Sequence, residues 1–443
     1  MPINAREAAF KALSKVRRSG AFTDAALNSV LIKANLNERD ASLAARIFYG
    51  VEQNQALCDF YIDSFTSFKT TKMEPQVLDI LRLSVYQLVF MSKIPVNAAV
   101  HEGVELAKKH ANPRAAGLVN AVLRKISSSL DHLPVVTGAD AVTRLSVQYS
   151  HPVWLVEEFV SQLGEEGAEQ LLDTNNREAV ITVKINTLKT DAQTLIASLR
   201  DDQVEAAAHP WLENCLVLRN THHIERLTAF NEGDFYVQDP AAILSILAAA
   251  PLPGMAVIDG CAAPGGKSFA AAIEMQDTGC ILSCDINGKK LERVQEGASR
   301  LGIGTIQTRI MDALEPDSNL FGSADIVLAD VPCSGFGVIR KKPEIRYKPE
   351  REVIELPTLQ LRIIDNLARY VKPGGILLYS TCTLLKSENE DVVQAFLETH
   401  SDFQPEPFAV SGPIGEAVSG MATLWPHIHG TDGFFICRLR RTS

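Results

Sequence analysis

The chain has 443 residues, 46% hydrophobic and 22% charged, an ordinary balance for a globular protein of two or three domains, each with its own core. It opens Met1-Pro2-Ile3-Asn4-Ala5-Arg6-Glu7 without an apolar signal region, and runs such as Ile246 to Ala250 are far too short to span a bilayer, so a cytoplasmic protein with no membrane contact is expected. The net charge of −10 argues weakly against nucleic acid, yet residues 1–140 hold 17 Lys and Arg against 13 Asp and Glu while the rest hold 26 against 40, a basic front on an acidic body that is compatible with a nucleic-acid arm. The eight cysteines form no Cys-x-x-Cys and no His pair sits near them. No metal site and no disulfide framework are expected, and Cys280 and Cys284 read as buried packing residues.

Residues 3 to 127 read as helical. Ala5 to Leu13 has helical spacing, Gly20 and Thr23-Asp24 mark a stop and a restart, and Asn37-Glu38-Arg39-Asp40 precedes a run from Ala41 to Val51 that Gly50 could end or interrupt. Pro75 opens a helix over 76–91 with Val77, Ile80, Leu81, Val85, Leu88 and Val89 at spacings of three and four; Asn97 caps one through Lys109, and Pro113 starts one through Ile126. Leu118-Val119-Asn120-Ala121-Val122-Leu123-Arg124-Lys125, with the entry Pro95-Val96-Asn97-Ala98-Ala99-Val100, resembles the NusB family of RNA-binding helical domains. Residues 128 to 145 show no clear period and read as a linker. A small α/β insert follows: after Tyr149 to Leu155 an amphipathic helix to Leu163, a strand over 180–186, a helix over 191–199 and a strand from Cys215 to Leu218. Gly233 to Pro240 leads into an apolar helix from Ala241 to Ala250. Strands over 255–259, 280–285, 305–310, 325–330 and 376–382 then alternate with helices over 267–275, 289–300, 353–370 and 388–397, and a last strand covers 432–439. The fold class predicted is an α/β Rossmann-like, doubly wound parallel sheet with an edge hairpin, preceded by the all-α domain and the insert. The expected division is 1–130 all-α, 131–145 linker, 146–235 small α/β subdomain and 236–443 Rossmann-like domain.

Asp259-Gly260-Cys261-Ala262-Ala263-Pro264-Gly265-Gly266-Lys267-Ser268 sits between the first strand and first helix of that sheet. Such a loop aims free backbone N–H groups and the positive end of a helix dipole at an anion. A triphosphate loop of the pattern G-x-x-x-x-G-K-[S/T] needs Gly at position 261, where Cys stands; Gly260 is one residue early, and Pro264 removes a backbone donor. A carboxylate with adenosine nearby, as in S-adenosylmethionine, fits better. Asp259, Asp285, Asp312 and Asp330 fall at or just after strand ends, and Asp285 is placed for ribose hydroxyls.

Two further cysteines, Cys333 in Asp330-Val331-Pro332-Cys333-Ser334-Gly335 and Cys382 in Tyr379-Ser380-Thr381-Cys382-Thr383, lie just beyond strand ends, so both may be expected in one pocket. C5 of cytosine is a poor nucleophile; a thiolate adding to C6 makes it enamine-like and able to take a methyl group from a sulfonium. A carboxyl group at N3 would stabilise the adduct, a base must later remove the C5 proton, and the target base must be unpaired or flipped out.

These motifs resemble the RNA cytosine-5 methyltransferases of the NOL1/NOP2/Sun family, and with the NusB-like front end the whole chain resembles the RsmB (Fmu) family. The resemblance implies that Cys382 is the nucleophile, Cys333 assists release of the methylated product, and Asp330 contacts both the cytosine and the methyl-donor site. It implies that Cys261, Ala262, Ala263, Pro264, Gly265, Gly266 and Lys267 wrap the methionine end of S-adenosylmethionine, that Asp285 holds its ribose and that Asp312 lies near its adenine. It further implies a 16S rRNA substrate; a monomer is expected. DNA cytosine methyltransferases carry their nucleophile in a Pro-Cys motif, which here would be Cys333; the Ser-Thr-Cys motif decides for Cys382. The alternative is a non-catalytic RNA-binding ribosome assembly factor that keeps the cofactor fold; a small-molecule methyltransferase would need neither the front domain nor the basic run Val338 to Pro349, which is expected to clamp RNA phosphates.

Overall fold

The apolar spacing of three and four does build helices. In the computed structural model, which describes residues 3–19, 23–219, 221 and 223–442, the helices at the front are α1 (Ala5–Ser19), α2 (Thr23–Ala34), α3 (Glu38–Gln53), α4 (Gln55–Phe65), α5 (Pro75–Phe90), α6 (Val96–His110), α7 (Pro113–Ser127), α8 (Ala141–Gln148) and α9 (Val153–Asn175). The expected stop at Gly20 lies outside the described residues. Proline at the first turn of α5 and α7 sits where its missing N–H costs nothing, and the Asn37 and Asn112 side chains cap α3 and α7. Gly50 does not end α3. The helix runs through it because the Tyr86 ring packs where a Cβ would stand, 1.9 Å away. Residues 131–145 are not all linker: Asp140 caps α8, which starts at Ala141. The helix expected to end at Leu163 does break there, at Gly164 with φ 71° and ψ 175°, but a second segment continues to Asn175.

The chain forms two compact units, Met1–Arg177 with Lys341–Tyr347, and Glu178–Arg340 with Lys348–Ser443. In the first, the returning segment carries Arg346, which is 0% exposed. Its Nε donates to the Pro343 carbonyl, and its Nη1 faces the carbonyls of Gln53, Tyr149 and Ser150 and, at 2.7 Å, Asn176 Oδ1. Burial draws its pKa down to about 10. The basic run is therefore no phosphate clamp as a whole: its central guanidinium is spent on carbonyls inside the first unit, and only Lys341, Lys342 and Pro349 of the run are exposed.

In the second unit, β1 (Ile181–Ile185), α10 (Ala192–Asp201), β2 (Glu205–Ala208), β3 (Cys215–Arg219), α11 (Thr228–Glu232) and β4 (Phe235–Val237) make a four-stranded antiparallel sheet of order β2-β3-β1-β4. The short edge strands β2 and β4 were not expected from the sequence. Helix α12 (Pro240–Ala249) is apolar all round and buried, as such a helix must be. The main sheet holds β5 (Ala256–Asp259), β6 (Cys280–Asp285), β7 (Ile306–Ile310), β8 (Ala324–Asp330), β9 (Val371–Thr381), β10 (Phe403–Pro405), β13 (Met421–Leu424) and β14 (Phe434–Arg441), while β11 (Phe408–Val410) pairs with β12 (Gly415–Ala417). Its order is β10-β14-β9-β8-β5-β6-β7, with β13 on β14; β5 to β9 are mutually parallel and β14 antiparallel. Helices α13 (Gly266–Glu274), α14 (Gly288–Leu301), α15 (Leu356–Ala368) and α16 (Glu390–Thr399) lie between successive strands, and α17 (Pro426–His429) precedes β14. The strand order reverses between β5 and β8, so a crevice opens at their C-terminal ends. Cys284 is buried as expected; Cys280, at the start of β6, is exposed.

Replacing Arg346 with Met leaves four inward-facing carbonyls without their charged donor. The variant should lose about 3 kcal/mol of stability, read as a lowered urea midpoint; an unchanged midpoint would contradict the buried geometry.

Candidate active site

Strand β5 ends at Asp259, which is 1% exposed. Its Oδ2 accepts from Ser268 Oγ at 2.7 Å, and Ser268 in turn meets Ser283 Oγ at 2.8 Å. Burial is the main cause that raises the Asp259 carboxyl to about 6, with the Asp330 charge adding to it; Ser268 and Lys267 oppose. This network ties the loop after β5 to the first turn of α13. Gly265 precedes that helix at φ 106°, a conformation open to glycine, and a Cβ there would meet the Phe269 ring at 2.6 Å. A cavity of about 200 Å³ faces the loop, lined among others by Asp259, Cys261–Pro264, Gly266, Lys267 and Asp330. The Cys261 thiol in its wall is pushed up by burial, so it lines the space as a neutral group.

Lys267 joins this loop to the next strand. Its Nζ lies 2.6 Å from Asp330 Oδ2 and 5.0 Å from the Phe434 ring centroid. Asp330, the last residue of β8, also accepts from Ser380 Oγ at 2.9 Å, its register partner on β9. Just beyond these paired residues the chain brings Cys333 and Cys382 together, Sγ to Sγ 3.3 Å. The thiol hydrogen bond from Cys333 is the main cause that lowers Cys382, assisted by Lys267; the same contact, then burial, raises Cys333 well above its ordinary value. Two thiols so close titrate as a pair: the first proton leaves below the ordinary thiol range and the second is held above it. The arrangement can therefore present one thiolate beside a carboxylate and a lysine.

Asp285, the last residue of β6, and Asp312, two residues after β7, stand apart from that cavity's lining. Each folds back on its own turn, Asp285 Oδ1 accepting from Asn287 N at 2.8 Å and Asp312 Oδ1 from Leu314 N at 2.9 Å. Sequence reasoning missed Gln238. It lies just after β4, lines the cavity at 8% exposure, and its buried Oε1 has no partner. A buried acceptor left open at a cavity fits a donor on a ligand. Together with the helix N-terminus it gives the anion and ammonium contacts that an amino-acid end needs. The only signal was its place before the Asp239-Pro240 helix start. Among the described residues, no cluster of three or more His, Cys, Asp or Glu could hold a metal, and no helix is long and apolar enough to cross a membrane.

Residues 246–440 match the family described as 16S rRNA methyltransferase RsmB/F, residues 151–225 its RsmF/B-like, ferredoxin-like domain, and residues 3–128 the NusB family. The chain is 35% identical to a probable ribosomal RNA small subunit methyltransferase B of Bacillus subtilis (strain 168), covering 98% of each chain. It is 34% identical to the similarly named protein of Synechocystis sp., covering 99% of this chain and 100% of that one. The crystal structure of PH0851 superposes with a TM-score of 0.81 at 28% identity, over 99% of this chain and 98% of the other.

The raised Asp259 has a consequence for stability. A carboxyl whose folded value lies above its unfolded one stabilises the fold fully below about pH 3.8 and loses that contribution as pH rises through about 6. The stability of the wild type relative to Asp259→Asn should thus fall by up to about 3 kcal/mol across that window, measured by urea unfolding at a series of pH values; a flat difference would show that Asp259 is not buried as a protonated group.

Proposed function

Because the chain belongs to the RsmB/F family of 16S rRNA methyltransferases, we propose that it methylates C5 of a specific cytosine in 16S rRNA through a covalent bond between Cys382 and C6. It is an S-adenosylmethionine-dependent methyltransferase with a NusB-like helical domain, a ferredoxin-like insert and a Rossmann-like sheet. The observation that carries the proposal is the 3.3 Å contact of the Cys333 and Cys382 sulfurs, which draws the Cys382 thiol below its ordinary range.

S-adenosylmethionine, when bound, supplies an electrophilic methyl group on a sulfonium. Cys261 to Lys267 at the N-terminus of α13 would hold its carboxylate end, with Gln238 accepting from its ammonium; Asp285 would hold the ribose and Asp312 lie near the adenine. The rest is the work of this chain's residues. Cys382 thiolate adds to C6 of the flipped cytosine, and the displaced electron pair makes C5 nucleophilic. Asp330, held by Lys267 and Ser380, steadies the ring at N3. Once C5 carries the methyl group, Cys382 is a neutral thioether, and both its charge and its hydrogen bond to Cys333 are gone. Those were leading causes that kept Cys333 protonated, so Cys333 gives its proton to solvent. Its thiolate then takes the C5 proton. The C5–H electrons form C5=C6, the C6–S bond breaks, and Cys382 leaves as thiolate beside a protonated Cys333. The starting pair is restored, with one proton released per methyl group transferred.

The working division for this function is an RNA-binding domain over 1–130, a connecting segment over 131–145 that already includes the first residues of α8, a small subdomain over 146–235 and a catalytic domain over 236–443, acting as a monomer in the cytoplasm. With so acidic a body, RNA contact is confined to patches, and the remaining exposed lysines of the basic run, Lys341 and Lys342, are among them.

Incubation with labelled S-adenosylmethionine and unmodified 16S rRNA should place 5-methylcytosine at one position; no incorporation into RNA would leave the assembly-factor reading. Cys382→Ala should be inactive and form no adduct with 5-fluorocytosine RNA, whereas Cys333→Ala should accumulate a covalent protein–RNA adduct on ordinary RNA. Trapping of Cys382→Ala at the wild-type level would move the nucleophile elsewhere.

A further inference from the structure

Cys333 lies in a stretch between β8 and the turn at Phe336–Val338 that is neither helix nor strand. Its peptide groups have no ladder to join and must be held by other parts of the chain. Two fully buried side chains hold them. Glu388 Oε2 accepts from the Ser334 backbone N–H at 2.9 Å, and Gln360 Nε2, on α15, donates to the Pro332 carbonyl at 3.0 Å. Gln360 Nε2 also donates to Glu388 Oε2 at 2.7 Å. The peptide bonds entering and leaving Cys333 are thus fastened to one carboxylate–amide pair.

The next residue does the same for the other cysteine. Asn389, 1% exposed, accepts from Thr381 Oγ1 at 2.6 Å and donates to the Thr383 carbonyl at 3.1 Å, and these two threonines flank Cys382. The dipeptide is itself anchored, since Tyr379 donates to the Glu388 carbonyl at 2.6 Å. We infer that Glu388 and Asn389 are positioning residues that set the separation of the two sulfurs, Glu388 acting with Gln360 on the Cys333 loop and Asn389 on the Cys382 turn. Loss of the Glu388 arm therefore impairs release of the methylated base and spares bond formation at Cys382; loss of Asn389 impairs bond formation.

Two facts support a purpose beyond stability. The partners of Glu388 are neutral donors, and a buried carboxylate with neutral partners is an expensive way to fasten a loop that a glutamine could hold. Its charge also contributes to raising Cys333, which makes the Cys333 thiolate a stronger base for the C5 proton once Cys382 is alkylated.

The inference rests on the release role proposed for Cys333, so that variant is the reference arm. Full-length Glu388→Ala, Gln360→Met, Glu388→Gln, Asn389→Ala and Cys333→Ala are incubated with 16S rRNA and S-adenosylmethionine, and the covalent adduct is counted on a denaturing gel beside steady-state turnover. Glu388→Ala and Gln360→Met should both accumulate adduct as Cys333→Ala does, with turnover down roughly 100-fold and donor affinity unchanged. Glu388→Gln, which keeps an acceptor for Ser334 but loses the charge that raises Cys333, should recover part of the turnover lost in Glu388→Ala, and Asn389→Ala should form adduct slowly. Should Glu388→Ala fail to bind donor, Gln360→Met decides alone. Adduct in Cys333→Ala but in neither Glu388→Ala nor Gln360→Met overturns the positioning role; no adduct in Cys333→Ala overturns the release role itself.

Discussion

The contact between two sulfur atoms organises this molecule's chemistry. Either thiol alone, at this depth, would be held protonated by desolvation, as the thiols of Cys58, Cys261 and Cys437 are. Side by side they share one proton, and the charge that burial forbids to each singly is allowed to the pair. The condition is geometric. Strands β8 and β9 run parallel with Asp330 opposite Ser380, so the loops beyond them leave the sheet at one edge. Backbone then meets backbone: Gly337 N–H donates to the Cys382 carbonyl at 2.9 Å, and a Cβ on Gly337 would stand 1.9 Å from the Gly433 oxygen. Any larger residue at 337 would force these segments apart, and the sulfurs with them.

Charge reaches the pair from the loop after β5. Lys267 sits at the start of α13, yet its ammonium lies on Asp330. It favours the Cys382 thiolate, while Asp330 disfavours it. The two act in opposite directions at the site, and the Cys333 hydrogen bond is the largest influence on Cys382. An ion pair linking the start of α13 to the end of β8 also means that neither side chain is positioned independently of the other.

Much of this was legible in the sequence because it depends on periodicity and on residues adjacent along the chain. The alternation of apolar runs gave the parallel sheet, glycine and proline punctuation gave the loop after β5, and the placement of Asp330, Cys333 and Cys382 just past strand ends anticipated that they would meet. What escaped was decided by tertiary partners. Gly50 reads as a helix breaker until Tyr86 is packed against it. Strand β2 is short and mostly exposed, and β4 has only three residues, so neither shows a period. Gln238 gains its meaning from an open acceptor at a cavity wall, and Arg346 from the carbonyls that surround it; a charge run looks solvated in sequence whatever its fate.

The residues between β8 and α15 make the same point in energetic terms. From Val331 to Glu355 the chain has only short 3-10 turns, so its backbone groups gain little from regular hydrogen bonding. Polar side chains take over: the buried Glu388 and Gln360 at 332–334, the half-buried Lys348 donating to the Ser334 carbonyl at 2.6 Å, and the buried Arg346 within the first unit. Each costs desolvation and ordering that a helix or strand would not require. An irregular segment held this way keeps a fixed shape while remaining free of the straight path that a strand would impose. Only a segment of that kind can leave β8, bring Cys333 back over Cys382, and then continue into a different compact unit of the same chain.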